Sequence, residues 1–167
     1  MNKQTKTLIK LIKSGLDGES PCTSYIEDID YILEIAAKHH IFTMLYYAFY
    51  NSGVQLGNDL KLLIKTAVLN EFSINEMQVH YIDKLSSEFV KNNIDHMFLK
   101  GSILKCLYPH PEIRRMGDID ILIKKEHYPK IIKIMNELGF TFCNESNHEL
   151  VWKKGNIFIE FHKILMP

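Results

Sequence analysis

A run of alternating acidic and branched apolar residues occupies positions 118–123 (DIDILI) and constrains the fold more than any other segment. Alternate side chains of a β-strand point to the same face. The run therefore predicts a strand that places Asp118 and Asp120 side by side and turns the isoleucines toward a core. Neighbouring carboxylates are ligands that Mg²⁺ prefers. Two other interpretations remain open: the aspartates are exposed at a strand end, or they pair with Arg114 or Arg115.

A third carboxylate lies in a second apolar run, residues 157–161 (IFIEF). Alternation places Glu160 on the same strand face as Phe158 and His162. A glutamate in so apolar a strand is unfavourable unless it is paired, which makes Glu160 a candidate third ligand. The alternative is the exposed face of an edge strand. For His162 two roles stay open, a partner of the ligands or a packing residue.

A glycine and a serine follow a short predicted strand at residues 95–99. The free backbone N–H groups of such a turn, at Gly101 and Ser102, can hold phosphate oxygens. Beside a carboxylate cluster, this turn suggests metal-assisted chemistry on a nucleoside triphosphate.

A second Asp-x-Asp pair serves as an internal comparison. Asp28 and Asp30 begin a helical pattern, where residues two apart point about 200° apart and cannot share a metal ion. Helix-dipole stabilisation accounts for this pair.

The composition limits the class of protein but does not indicate a function. The chain has 167 residues, 46% apolar and 24% charged, which is typical of a globular domain. Lysine plus arginine and aspartate plus glutamate number 20 each, so no global field favours nucleic acid. No apolar run is long enough for a membrane span. Cys22, Cys106 and Cys143 form neither a disulfide framework nor a zinc motif, and we expect a cytoplasmic protein.

Apolar periodicity divides the chain near residue 92. Helices are predicted over 5–14, 25–40, 43–50 and 57–91, with Thr23 or Ser24 capping the second. Strands are predicted over 95–99, 118–123, 140–143, 150–152 and 157–161, with helical segments over 102–107 and 125–138. Trp152 and Phe158 are expected to face each other across the final hairpin. The prediction is an α+β fold: an N-terminal helical region (1–92) that packs on a core (93–167) with a small mixed β-sheet flanked by helices.

The order of these motifs resembles the nucleotidyltransferases of the DNA polymerase β superfamily. The sequence Lys-Gly-Ser comes first, then Tyr-Pro at 108–109, then RRMGDID at 114–120, a helix, and an acidic strand that ends in a histidine. The resemblance is greatest to the bacterial branch of uncharacterised nucleotidyltransferases. It covers residues 94–165, and the upstream helices also resemble that branch.

The resemblance implies a role for each matching position. Asp118 and Asp120 match the paired metal ligands, and Glu160 stands where the superfamily has its third carboxylate, usually an aspartate. Gly101 and Ser102 match the phosphate-binding turn. The remaining matches are basic positions that would meet the triphosphate, Lys100 and Arg114.

The expected function is therefore Mg²⁺-dependent transfer of a nucleoside monophosphate from an NTP to an acceptor hydroxyl. Two Mg²⁺ ions are expected, and Mn²⁺ is an alternative. The neutral net charge favours a small-molecule or protein acceptor over a long nucleic acid. The rival function is a non-catalytic nucleotide-binding or protein-interaction module that keeps the fold. Superfamily members generally continue with further helices, so we expect a fragment, an open site, or an oligomer or partner that completes the site.

Overall fold

The structure is a computed structural model that describes residues 3–18, 26, 28–52 and 54–165. Thr23 and Ser24, the predicted helix caps, lie outside these residues. Within them the chain has the predicted α+β architecture, six α-helices and a five-stranded mixed sheet. No helix among the described residues is long and apolar enough to cross a membrane.

The helices lie close to the predicted ranges. In chain order they are α1 (Lys3–Asp17), α2 (Ile29–His39), α3 (Phe42–Ser52), α4 (Asn58–Lys91), α5 (Gly101–Leu104) and α6 (Tyr128–Glu137). A 3-10 turn, Lys105–Leu107, continues α5, and a second, Lys125–His127, precedes α6.

The start of α2 differs from the prediction by four residues because the capping residue is Asp28. The Asp28 carboxylate accepts a hydrogen bond from the Tyr31 N–H at 3.0 Å, and this satisfies one of the free N–H groups of the first turn. Asp28 and Asp30 therefore belong to a helix N-terminus, as the sequence predicted.

The five strands form one sheet in the order β1-β2-β5-β4-β3. They are β1 (His96–Phe98), β2 (Ile119–Ile123), β3 (Thr141–Glu145), β4 (Glu149–Lys154) and β5 (Ile157–His162). Strand β2 pairs in parallel with β5 and antiparallel with β1, and the other pairs are antiparallel. The two strands predicted to carry carboxylates are therefore hydrogen-bonded neighbours.

The register of the β4–β5 hairpin corrects one prediction. Lys154 pairs with Ile157 across a two-residue turn, so Trp152 lies opposite Ile159 and not Phe158. Trp152 is buried in the core and packs edge-to-face on Phe142. Phe158 points to the other face of the sheet, so the two side chains do not face each other as predicted.

The chain divides into two compact units. The first comprises Met1–Phe72 and Tyr108–Arg115, and the second comprises Ser73–Leu107 and Met116–Pro167. In the second unit, one face of the sheet packs against the C-terminal half of α4 and against α6. This core includes Phe89, Ile121, Ile131, Ile159 and Phe161. The opposite face carries the polar members of β2 and β5.

The first unit has a separate core, built largely from α1, α2, α3 and the beginning of α4. Helices α1 and α3 approach closely at Gly15. A Cβ atom at Gly15 would lie 2.3 Å from the Met44 carbonyl oxygen, so only glycine permits this contact.

Candidate functional site

Asp120 is the buried acid at the centre of the polar sheet face. It is 2% exposed, and its Cα pairs with that of Glu160 on the parallel strand β5. On the other side its carbonyl accepts a hydrogen bond from the Leu99 N–H at 2.9 Å. Both neighbouring strands therefore fix its position.

Two basic side chains approach the same oxygen of Asp120. The Lys100 ammonium donates to Oδ1 at 2.7 Å, and His162 Nε2 lies 2.6 Å from Oδ1. A buried carboxylate is strongly unfavourable without such partners. The Asp120 hydrogen bond also raises the pKa of Lys100, against a smaller opposing effect of burial.

Lys100 reaches this position through an unusual backbone conformation. Its φ is 45° and its ψ is −116°, a region that side-chain-bearing residues seldom occupy. The conformation turns the chain from the end of β1 into α5. The Lys100 side chain remains 64% exposed, so its ammonium contacts both Asp120 and solvent.

Glu160 completes a cluster of three potential metal ligands. One ligand atom from each of Asp120, Glu160 and His162 lies within 4.8 Å of the others. Burial is the main cause that raises the pKa of Glu160, and the negative charge of Asp118 is the second. The Glu160 carboxyl therefore lies among like charges that a cation would neutralise.

Asp118 lies immediately before β2, not inside it as predicted, because the strand begins at Ile119. Its side chain is half-buried. Its charge acts on both Lys100 and Glu160, which indicates that it faces the same site. Asp118 is not a member of the three-residue cluster.

The predicted Gly-Ser turn begins α5, next to Lys100. Ser102 is 8% exposed, and its N–H donates to the Leu99 carbonyl at 3.2 Å, so this N–H is not free as predicted. Its hydroxyl donates to the Met116 sulfur at 3.7 Å, a weak interaction. A Cβ atom at Gly101 would lie 2.7 Å from Met116 Cγ, so α5 packs closely on that side chain.

The two arginines have partners other than the aspartates. Arg114 Nη1 donates to the Arg115 carbonyl at 2.7 Å, and Arg115 Nη1 lies 3.7 Å from a Glu71 oxygen. Arg114 belongs to the first compact unit, and its predicted contact with a triphosphate stays a prediction. Among the described residues, the basic side chains in contact with Asp120 are those of Lys100 and His162.

Comparison with known proteins shows the family. A family model described as uncharacterised nucleotidyltransferase matches residues 26–167. The chain belongs to this family. Searches of the curated proteins and of the solved structures found no significant match. Membership supports nucleotidyltransferase activity in general terms and confirms the family resemblance of the sequence.

A buried polar network in this nucleotidyltransferase family member was not predicted from the sequence. Gln78 Nε2 donates to the Met116 carbonyl at 2.8 Å, and the Lys105 ammonium donates to Asn75 Oδ1. Gln78 and Lys105 are 2% and 3% exposed. The network joins α4 to the segment before β2 and to the turn after α5. The only sequence signal was two amides, three residues apart, in an otherwise apolar helical pattern.

Proposed function

We propose that this chain transfers a nucleoside monophosphate from an NTP to an acceptor hydroxyl with the help of a divalent cation, Mg²⁺ or Mn²⁺. One observation carries the proposal. In a chain of the nucleotidyltransferase family, a buried aspartate, a glutamate and a histidine converge on neighbouring strands, with ligand atoms within 4.8 Å of one another.

The chemistry of the donor set fits a hard divalent cation. Asp120 and Glu160 offer carboxylate oxygens, which suit Mg²⁺ and Mn²⁺. Asp118 would add a third carboxylate, and its repulsion of Glu160 favours cation binding. His162 would either supply a nitrogen ligand or orient Asp120 through the existing 2.6 Å contact. A cation held there would neutralise triphosphate charge and lower the pKa of the acceptor hydroxyl.

The basic residue beside the acids would contact the triphosphate. The Lys100 ammonium is exposed and hydrogen-bonded to Asp120. Once a cation neutralises Asp120, the ammonium can turn to a phosphate oxygen and hold the α-phosphate near the acids. Phosphoryl-type transfer depends mainly on such positioning and charge neutralisation.

Ser102 would serve the same substrate through its hydroxyl. In the structure this hydroxyl donates only to a methionine sulfur at 3.7 Å. A phosphate oxygen is a much stronger acceptor than a thioether, so the hydroxyl would exchange the methionine sulfur for a phosphate oxygen that comes within reach. Gly101 allows α5 to stay packed on Met116 during this exchange.

Thermal unfolding with each of the four NTPs, with and without Mg²⁺ or Mn²⁺, tests the proposal. We expect one or more NTPs to raise the melting temperature only with the metal. The Asp118→Asn/Asp120→Asn variant should lose this shift. Absence of a shift with every NTP would contradict the proposal for this chain. A metal-dependent shift without pyrophosphate release in the presence of candidate acceptors would favour the rival, a non-catalytic nucleotide-binding module.

A further inference from the structure

An apolar groove lies between α3 and α4 within the first compact unit. It consists of two cavities of about 300 Å³ and about 510 Å³, both lined by Tyr46, Tyr50 and Lys65. Cavities of this size accommodate several side chains of a ligand. We call this feature the α3–α4 groove.

The walls of the groove are helix faces with regular spacing. On α3 the lining residues are Tyr46, Tyr47, Phe49 and Tyr50, and all of them except Tyr47 follow the i, i+3, i+4 pattern. On α4 the lining residues 61, 64, 65, 68, 69 and 72 form one continuous stripe at helical spacing. Tyr50 is 77% exposed and Leu69 is 58% exposed. Large apolar side chains exposed together mark an interaction surface.

The charged side chains that line the groove are two lysines. Lys61 and Lys65 line it one helical turn apart, and both are exposed. No aspartate or glutamate is among the residues described as lining either cavity. A ligand that fills the groove therefore meets two ammonium groups that no carboxylate of the lining neutralises.

We propose that the α3–α4 groove binds an acidic amphipathic helix of a partner protein. The apolar stripe of such a helix would fill the space between the aromatic wall of α3 and the Ile64–Phe72 stripe of α4. A helix that binds in a groove is held by apolar side chains at i, i+3, i+4 and i+7. These side chains form one face, which would lie along the groove between α3 and α4. Carboxylates beside that stripe would pair with Lys61 and Lys65. This inference is independent of the nucleotidyl-transfer chemistry.

The lining favours a peptide over a nucleic acid. Proteins that bind single-stranded nucleic acids combine aromatic side chains with a row of cations that follows the backbone. The α3–α4 groove has a floor of aliphatic side chains, including Ile64 and Val68. Only two lysines are among its described lining residues.

The test uses two model peptides of about 14 residues, or four helical turns. Both carry leucine at i, i+3, i+4 and i+7. One has glutamate and alanine elsewhere, and the other has lysine in place of each glutamate. Fluorescence titration of the full chain should show binding of the glutamate peptide only. In the Lys61→Glu/Lys65→Glu variant, affinity for the glutamate peptide should fall at least about tenfold, and the lysine peptide should bind.

A matched variant separates groove chemistry from net charge. Lys10→Glu/Lys13→Glu makes the same charge change at exposed positions of α1 and should leave binding unchanged. Circular dichroism checks that all variants are folded. No binding of the glutamate peptide at about 1 mM, or equal losses in both variants, would overturn the proposal. Binding of an oligothymidylate and not of the glutamate peptide would overturn it in favour of a nucleic acid.

Discussion

His162 Nε2 lies 2.6 Å from Asp120 Oδ1, across a pair of parallel strands that are far apart in the sequence. The Lys100 ammonium contacts the same oxygen from the end of β1. One oxygen of the buried acid thus contacts both an ammonium group and an imidazole. A divalent cation would compete with these two groups for Asp120. Substitutions at these residues are therefore expected to change stability, metal affinity or activity.

Substitution of Asp120 should reduce both activity and stability. In Asp120→Asn, the negative charge that contacts Lys100 and His162 is lost. Charge-assisted hydrogen bonds are worth about 1.5–3 kcal/mol each. Because both partners remain polar and Lys100 is exposed, we expect a loss of about 2 kcal/mol in the free energy of unfolding, measured with urea. Nucleotidyl transfer should be abolished.

Substitution of Asp118 should reduce activity without reducing stability. Asp118→Asn removes a charge that repels Glu160, and Asp118 lies outside the buried cluster. We expect activity to be lost while the free energy of unfolding changes by less than about 0.5 kcal/mol or rises slightly. A loss of stability as large as that of Asp120→Asn would contradict the different roles given to the two aspartates.

Removal of the His162 imidazole should weaken metal binding. Groups that ligate a metal or orient its ligands typically contribute about 10–100-fold in affinity, so His162→Gln should weaken Mn²⁺ binding by a factor in that range. Electron paramagnetic resonance of free Mn²⁺ during titration measures this effect. His148→Gln, at an exposed residue just before β4, should bind Mn²⁺ like the wild type. Equal Mn²⁺ affinity in both variants would show that His162 does not contribute to the metal site.

The helix contact at Gly15 should not tolerate a methyl group. In Gly15→Ala the new Cβ would meet the Met44 carbonyl oxygen at 2.3 Å, and displacement of packed backbone typically costs about 1–3 kcal/mol. Gly117→Ala is the control, because a Cβ there meets no atom within 4 Å and the residue lies outside the helices and strands. Thermal unfolding should show a lower melting temperature only for Gly15→Ala, and two equal melting temperatures would refute the close approach.

Tyr47 should affect how stability responds to alkaline pH. Burial and the hydrogen bond that its hydroxyl donates to Glu112 raise the pKa of Tyr47. Since the folded state holds this proton more tightly than the unfolded chain, its contribution is complete below the ordinary tyrosine pKa of about 10 and is lost as pH rises further. The free energy of unfolding of Tyr47→Phe should therefore fall less steeply than that of the wild type above about pH 10. Parallel declines would contradict this assignment.

The sequence predicted the elements of the fold because its apolar periodicities are strong and rarely interrupted. The long helix α4 and the two strands with carboxylates were predicted to within two residues. Partner choice was not predictable in the same way. Alternation shows which face Asp120 and Glu160 occupy, but nothing in either strand specifies the parallel β2–β5 pairing that brings them together.

The errors have local physical causes. A two-residue turn after Lys154 set the β4–β5 register and moved Trp152 away from Phe158. The contact of His162 with Asp120 depends on three-dimensional pairing, so the sequence left its role open. Its position on the face of Glu160 was nevertheless correct, because alternation alone determines it.

The backbone conformation of Lys100 links the chemistry of the site to its stability. A residue with a side chain at φ 45° and ψ −116° typically sacrifices about 1–3 kcal/mol of stability, and glycine would relieve that strain. Lys100→Gly would therefore exchange the ammonium beside Asp120 for a more relaxed main chain. Lysine at this position is therefore a compromise between backbone stability and electrostatics, because the strained main chain carries the positive charge that contacts the buried Asp120.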